Sequence, residues 1–247
     1  MSDAQAPPNM VERTEPEVST GSTLTDIFFE PGKVFEALRA RPRFLVAGLI
    51  LLVLTCIMTL VLYLRVDMGQ LIRERMERSP NAAQQTEAQR EMGVRIGKIA
   101  GAVFIPLSVP VTIAAGAALY LLGVLAFGGT IKYKQALAVW TYSSLPPGVL
   151  AAIIWIAVLL LKSADTVDPN RLMVTNPGAF MSEEASPVMV ALLSQFDLLR
   201  FYGMFLAALG LRKVGKLSSG GAWTIVIGLW LIGVLLSVGR VAIFGAR

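Results

Sequence analysis

The chain has 247 residues, 55% of them hydrophobic, a formal charge of +5 and no histidine. That apolar share exceeds the roughly 45–50% of ordinary soluble domains, and it is gathered in long runs, which points to a membrane protein. The missing histidine excludes Ser-His and Cys-His nucleophile pairs and the usual zinc sites, and the single Cys56 excludes an intramolecular disulfide.

Residues 1–22 are rich in Ser, Thr, Glu, Pro and Ala and carry too little apolar surface to offset ordering entropy, so a disordered tail is expected. They do not read as a signal peptide, because the first apolar run begins only at Phe44 and lacks a small-residue cleavage pattern. Residues 23–43 form a leader. Val34, Phe35 and Leu38 have helical spacing after a Pro31-Gly32 break, with Lys33, Arg39, Arg41 and Arg43 around them. This amphipathic helix suits either a headgroup surface or the protein's own loops.

The apolar runs then define five expected transmembrane helices, at about 44–64, 99–127, 136–161, 187–211 and 222–244. Between the first two, Arg65 to Lys98 mixes charge with helically spaced Leu71, Ile72, Met76, Met92 and Ile96, interrupted at Ser79-Pro80-Asn81. That pattern predicts two helices extending the flanking spans out of the membrane. Pro106 and Pro110 predict a kink in the second span, and Gly93, Gly97 and Gly101 form a smooth stripe for helix packing. Pro146-Pro147 predicts a break in the third span, as a re-entrant lead-in or a tilted one. The fold class is therefore an all-α polytopic bundle, with residues 44–247 as its membrane domain.

Charge sets the orientation. The leader, the Lys132/Lys134 turn and the Arg212 to Lys216 turn are basic and fall on one side of a five-span chain, which predicts a cytoplasmic N-terminus and an outside C-terminus. The acidic loop after the third span agrees. The Arg65 to Lys98 segment, with seven Lys/Arg, does not.

Three stretches carry a family resemblance: FFEPGKVFEALRARPRF in the leader, GGTIKYKQALAVWTYSSLPPGVL entering the third span, and DLLRFYGMFLAALGLRKV in the fourth. Gly128, Gly129, Tyr133, Gln135, Tyr142, Pro146, Pro147 and Gly210 are the most distinctive positions. The chain resembles a bacterial member of the Yip (Ypt/Rab-interacting protein) domain family. The resemblance implies five membrane helices with a cytoplasmic N-terminus, and hence a multi-pass protein of the bacterial plasma (inner) membrane. For eukaryotic members it implies GTPase binding and membrane shaping. GTPase binding is not supported by residues of this chain.

In the fourth span, Gln195, Asp197 and Arg200 are the candidate intramembrane polar site. Ionisable groups there cost roughly 2.5–3.5 kcal/mol each and are functional candidates by default. Asp197 and Arg200 are three apart and share a helix face. A structural ion pair is the leading expectation, ahead of a proton or substrate path and of plain interfacial placement. Asp197 is the only acid well inside an apolar span, there is no Gly-Lys-Ser/Thr phosphate loop, and no basic soluble face exists for nucleic acid. No catalytic residue, metal or cofactor is expected. The expected function is a non-catalytic membrane scaffold that binds membrane lipid, itself or another membrane protein. The alternative is a small transporter using the Asp197/Arg200 pair, although no internal repeat is evident.

Overall fold

A computed structural model describes residues 20–77, 84–161, 172–182 and 184–244. Residues 1–19 of the tail expected over 1–22, the Ser79-Pro80-Asn81 break and the acids Asp165, Asp168 and Glu183 lie outside the described residues, whereas residues 20–22 of that tail are the start of a helix. The described chain is all-α. Two short leader helices, α1 (Thr20–Phe29) and α2 (Pro31–Ala40), precede α3 (Leu45–Arg65), α4 (Met68–Glu77) and α5 (Glu87–Ala126). Then come α6 (Tyr133–Leu161), a 3-10 turn at Pro177–Phe180, α7 (Pro187–Leu193), α8 (Leu198–Gly215) and α9 (Ser219–Phe244).

Four helices, α3, α5, α6 and α9, are long and apolar enough to cross a membrane, and a fifth crossing is made if α7 and α8 count as one bent span. Their surfaces suit lipid. Leu60, Leu122, Leu235 and Ile243 are each more than half exposed. In water that would be a large apolar liability, whereas hydrocarbon has no preference for hiding such side chains.

Helix α5 has 40 residues, so it runs about 60 Å at 1.5 Å per residue, roughly twice the hydrocarbon thickness. Its first turns therefore lie beyond the apolar window. They are fixed by a capping box in which the Thr86 hydroxyl accepts from Gln89 N and the Gln89 side chain accepts from Thr86 N. The helix passes through Pro106 and Pro110 without interruption. Helix α4 packs beside it but is not a continuation of α3. The chain turns at Val66-Asp67, where the Asp67 carboxylate accepts from Gly69 N and Gln70 N.

The main core sits at one end of the bundle, here the leader end. Ile27, Val34, Phe35 and Leu38 of the leader are at most 2% exposed and pack with Val139, Tyr142, Leu206, Leu211 and Val214. Of the two surfaces the amphipathic pattern suits, the apolar face of α2 is taken up by the chain's own α6 and α8. Lys213 of α8 also pairs with Glu36 of α2. A second, smaller cluster of Leu62, Trp155, Leu159 and Leu172 lies toward the far end.

The expected break in the third span does not occur. Helix α6 is one helix of 29 residues with Pro146 and Pro147 inside it. Each proline removes one backbone donor, which deletes single hydrogen bonds and leaves those before and after to carry the helix. Instead the fourth span, expected to be continuous over 187–211, is the broken one. Helices α7 and α8 meet at a 44° bend across residues 194–197, and α8 runs on to Gly215.

Candidate functional site

Asp197 is the N-cap of α8, and its carboxylate accepts from Leu199 N (2.8 Å) and Arg200 N (3.1 Å). Aspartate at this position supplies an acceptor to donors that the first turn leaves without partners, and its charge suits the positive helix end. The Thr175 hydroxyl donates to the same carboxylate, and the Thr175 carbonyl accepts from Leu198 N at 3.2 Å. The loop before α7 is thereby tied to the break. Gly178 allows that contact, since a Cβ there would lie 2.2 Å from Ser194 Oγ.

The expected ion pair between Asp197 and Arg200 is absent. Arg200 Nη1 instead donates to Gln195 Oε1 at 2.7 Å. The unbroken span and the ion pair fail for one reason: Asp197 caps the start of α8 rather than lying within a helix, so its carboxylate folds onto backbone donors and not along a shared face. Gln195 is the hub of the cluster. It is 7% exposed, and its amide nitrogen donates to Ala191 O and to Ser237 Oγ of α9. Trp230 of the same helix donates to the Gln195 carbonyl, and its ring meets Phe196 and Phe201.

Beneath the break lies a cavity of about 600 Å³ between α6 and α8. Tyr120, Trp140, Ser143, Asn176, Asp197 and Arg200 contribute to its wall. Gly203 of α8 faces Pro147 and the Ser143 carbonyl, so α8 approaches α6 where the prolines lie. Gly116 is required under the Trp140 ring, which a Cβ would meet at 2.3 Å. Among the described residues no three acidic or thiol side chains converge to hold a metal ion.

Apart from Pro147, which borders that cavity, the family-motif positions gather elsewhere, toward the leader end. Gly128 has φ +72°, in the left-handed region where glycine carries no Cβ penalty. A Cβ on Gly129 would lie 2.6 Å from the Gly215 carbonyl, and next to it Thr130 N donates to that same oxygen. Gln135 accepts from Lys132 N and donates to the Arg39 carbonyl at the end of α2. The Tyr133 hydroxyl donates to Ala114 O. Gly210 meets Phe35 and Val139, and Tyr142 and Pro146 are buried. The Tyr142 hydroxyl has no hydrogen-bond partner. Together these residues form the joint that locks the leader to α6 and α8.

The stripe of Gly93, Gly97 and Gly101 faces this chain's own helices. Cβ atoms there would strike Met76 and Ile72 of α4 and the Tyr63 hydroxyl of α3. The third contact is fixed by Tyr63 donating to Lys98 O at 2.7 Å.

Neither a curated protein nor a solved structure matches the chain. A family model, the Yip1 domain, matches residues 25–240, which takes in most of the leader, the joint and the candidate spans up to the last turn of α9. Most of the motif positions that the resemblance singled out thus build the joint, while Pro147 borders the cavity beneath the break, and the chain is a multi-pass membrane protein belonging to the Yip1 domain family.

Proposed function

We propose that this chain is a non-catalytic membrane organiser that binds lipid and packs against itself or another membrane protein. The observation that carries the reading is the use of Asp197. Its carboxylate is occupied by two backbone donors and the Thr175 hydroxyl, so the one acid deep in the spans holds the fold together. A proton carrier needs a carboxyl group open to a donor path, whereas here Oδ1 is taken by Leu199 N and Arg200 N and Oδ2 by the Thr175 hydroxyl. The glycine stripe is already spent on α3 and α4, so partners would meet the exposed apolar faces of α3, α5 and α9 instead.

The same reading places the leader end on the cytoplasmic side of a bacterial plasma membrane. Arg39, Lys132, Lys134, Arg212 and Lys216 all gather there and are all exposed. A reporter active only outside the cytoplasm, fused after Arg247, is expected to work; a cytoplasmic one working there would reverse the orientation.

A permease is the second reading, and the cavity beside Arg200 favours it. Liposomes holding the purified full chain separate the two. The organiser reading expects no proton or solute flux, with or without Asp197→Asn, and a specific partner cross-linked in native membranes. Substrate-specific flux that depends on Asp197 would sink it.

A further inference from the structure

The leader end holds a second cavity, of about 590 Å³, between α2, the turn after α5 and the end of α8. Glu36, Arg39, Thr130, Lys132, Gln135 and Lys216 line it. Its one acid, Glu36, is held by Lys213. Arg39, Lys132 and Lys216 have no side-chain hydrogen bond or ion pair among the described residues, and all three are exposed. Arg39 shares Glu36 electrostatically with Lys213, and Lys132 and Lys216 have no acid paired with them, so the concave site carries an excess of positive charge that favours an anion.

The joint presents them on a rigid frame. Gln135 ties the end of α2 to the start of α6, and Thr130 ties the turn to Gly215. Lys216 sits at φ +54°, a left-handed conformation that is strained for a residue with a side chain and free of that strain for glycine. The helix stop would favour glycine there. Lysine in its place puts a charge on the rim of the cavity.

We propose that this pocket binds a phosphate-bearing anion, the headgroup of an anionic phospholipid. Arg39 offers a planar fork for phosphate oxygens, and Lys132 and Lys216 offer point charges. A basic pocket between helix ends at the membrane boundary is the setting in which such headgroups are held. A lipid fits better than a soluble anion because an apolar groove of about 510 Å³ opens at the same end, along α3 and α5. Its wall includes Phe44, four residues beyond Ala40 of the pocket, and Tyr133, next to Lys132. The inference names the lipid for the organiser reading and rests on it only for the choice of side.

The experiment uses the purified full chain, titrated with phosphatidylglycerol, phosphatidylcholine and inorganic phosphate, with bound ligand read by native mass spectrometry. Arg39→Gln, Lys132→Gln and Lys216→Gly are the variants, singly and together; the glycine accepts the left-handed backbone, so it removes charge without strain. Lys134→Gln, an exposed neighbour outside the pocket, is the control. Each single variant is expected to weaken phosphatidylglycerol binding about fivefold, equivalent to about 1 kcal/mol per basic residue. The triple variant should lose about a hundredfold, and the control should not change. If the triple variant does not fold, the three singles carry the test.

Inorganic phosphate binding as tightly through the same three residues would keep the anion chemistry and assign a soluble source. Phosphatidylglycerol binding that ignores all three substitutions would overturn the proposal. So would capture of an acidic peptide by these residues with no affinity for either phosphate probe. Solute flux in liposomes together with variant-sensitive lipid binding would break the organiser reading and leave this site standing.

Discussion

Helix α6 contains two adjacent prolines and stays whole, whereas the fourth span has no proline at residues 194–197 and bends by 44° there. The difference lies in what is offered to the backbone. Inside α6, proline withdraws donors but nothing nearby supplies a better set of partners, so the remaining helical bonds prevail. At the fourth span, Asp197 accepts from the first turn of α8, Thr175 holds Leu198, and Gln195 bonds to Ser237. In a membrane every freed backbone group needs a partner, so a break forms where partners exist. The two sites also differ in their buried polar groups. The Tyr142 hydroxyl in α6 is unpartnered, while the Asp197 carboxylate and both ends of the Gln195 amide are bonded.

Removing the cap is the strongest way to break this comparison. Asp197→Ala should lower stability by about 2 kcal/mol, read as the thermal midpoint in detergent, since it strips two backbone donors and Thr175 of their acceptor. Asp197→Asn keeps one oxygen and should lose less than half as much. An alanine variant as stable as the original would mean that something other than the cap holds the bend.

Tyr142→Phe sharpens the other half. Deleting an unpartnered buried hydroxyl should be neutral or stabilising by up to about 1 kcal/mol. A clear loss of stability would reveal a partner for that group.

A smaller effect is expected where the leader meets α8. Lys213 donates a hydrogen bond to Glu36 and its charge adds to this, holding the Glu36 carboxyl below its ordinary 4.5. A depressed folded pKa means that the tie is fully present at neutral pH and is lost as pH falls through that lowered value. Amide exchange in α2 should therefore quicken below the ordinary glutamate range, and Glu36→Gln should abolish that pH dependence. Protection that is equally acid-sensitive in the variant would assign the effect elsewhere.

The smallest effect should follow Pro146→Ala with Pro147→Ala. Spin labels at Lys134 and Leu150 lie sixteen residues apart on one helix, about 24 Å at 1.5 Å per residue. The distance should be nearly the same in the parent and the variant. A parent distance far shorter, restored by the substitutions, would show that the prolines do break the span.

Much of the architecture was legible in the pattern of residues. The first expected span, 44–64, is α3 within a residue, and the helical spacing of Met92 and Ile96 announced the long start of α5. The fourth span was misread because Asp197 stands in an apolar run, where an acid draws attention to its charge. The available signal was its residue type, since aspartate is among the strongest helix caps, with Ser194 and Gln195 just before it. The leader's pattern was ambiguous in principle. An apolar stripe with basic flanks has the same appearance whether it faces lipid or protein.

Hydropathy and helical periodicity alone determined the helices, their approximate ends and the membrane class, because both depend on local composition against a solvent of fixed thickness. The packing of the leader on α6 and α8, the place where a span breaks and the convergence of Arg39, Lys132 and Lys216 were decided only by the tertiary structure. Each depends on which distant group supplies a hydrogen bond, a gap for a ring or a neighbouring charge. Residues 39, 132 and 216 become neighbours only because Gln135 and Thr130 tie three helix ends together.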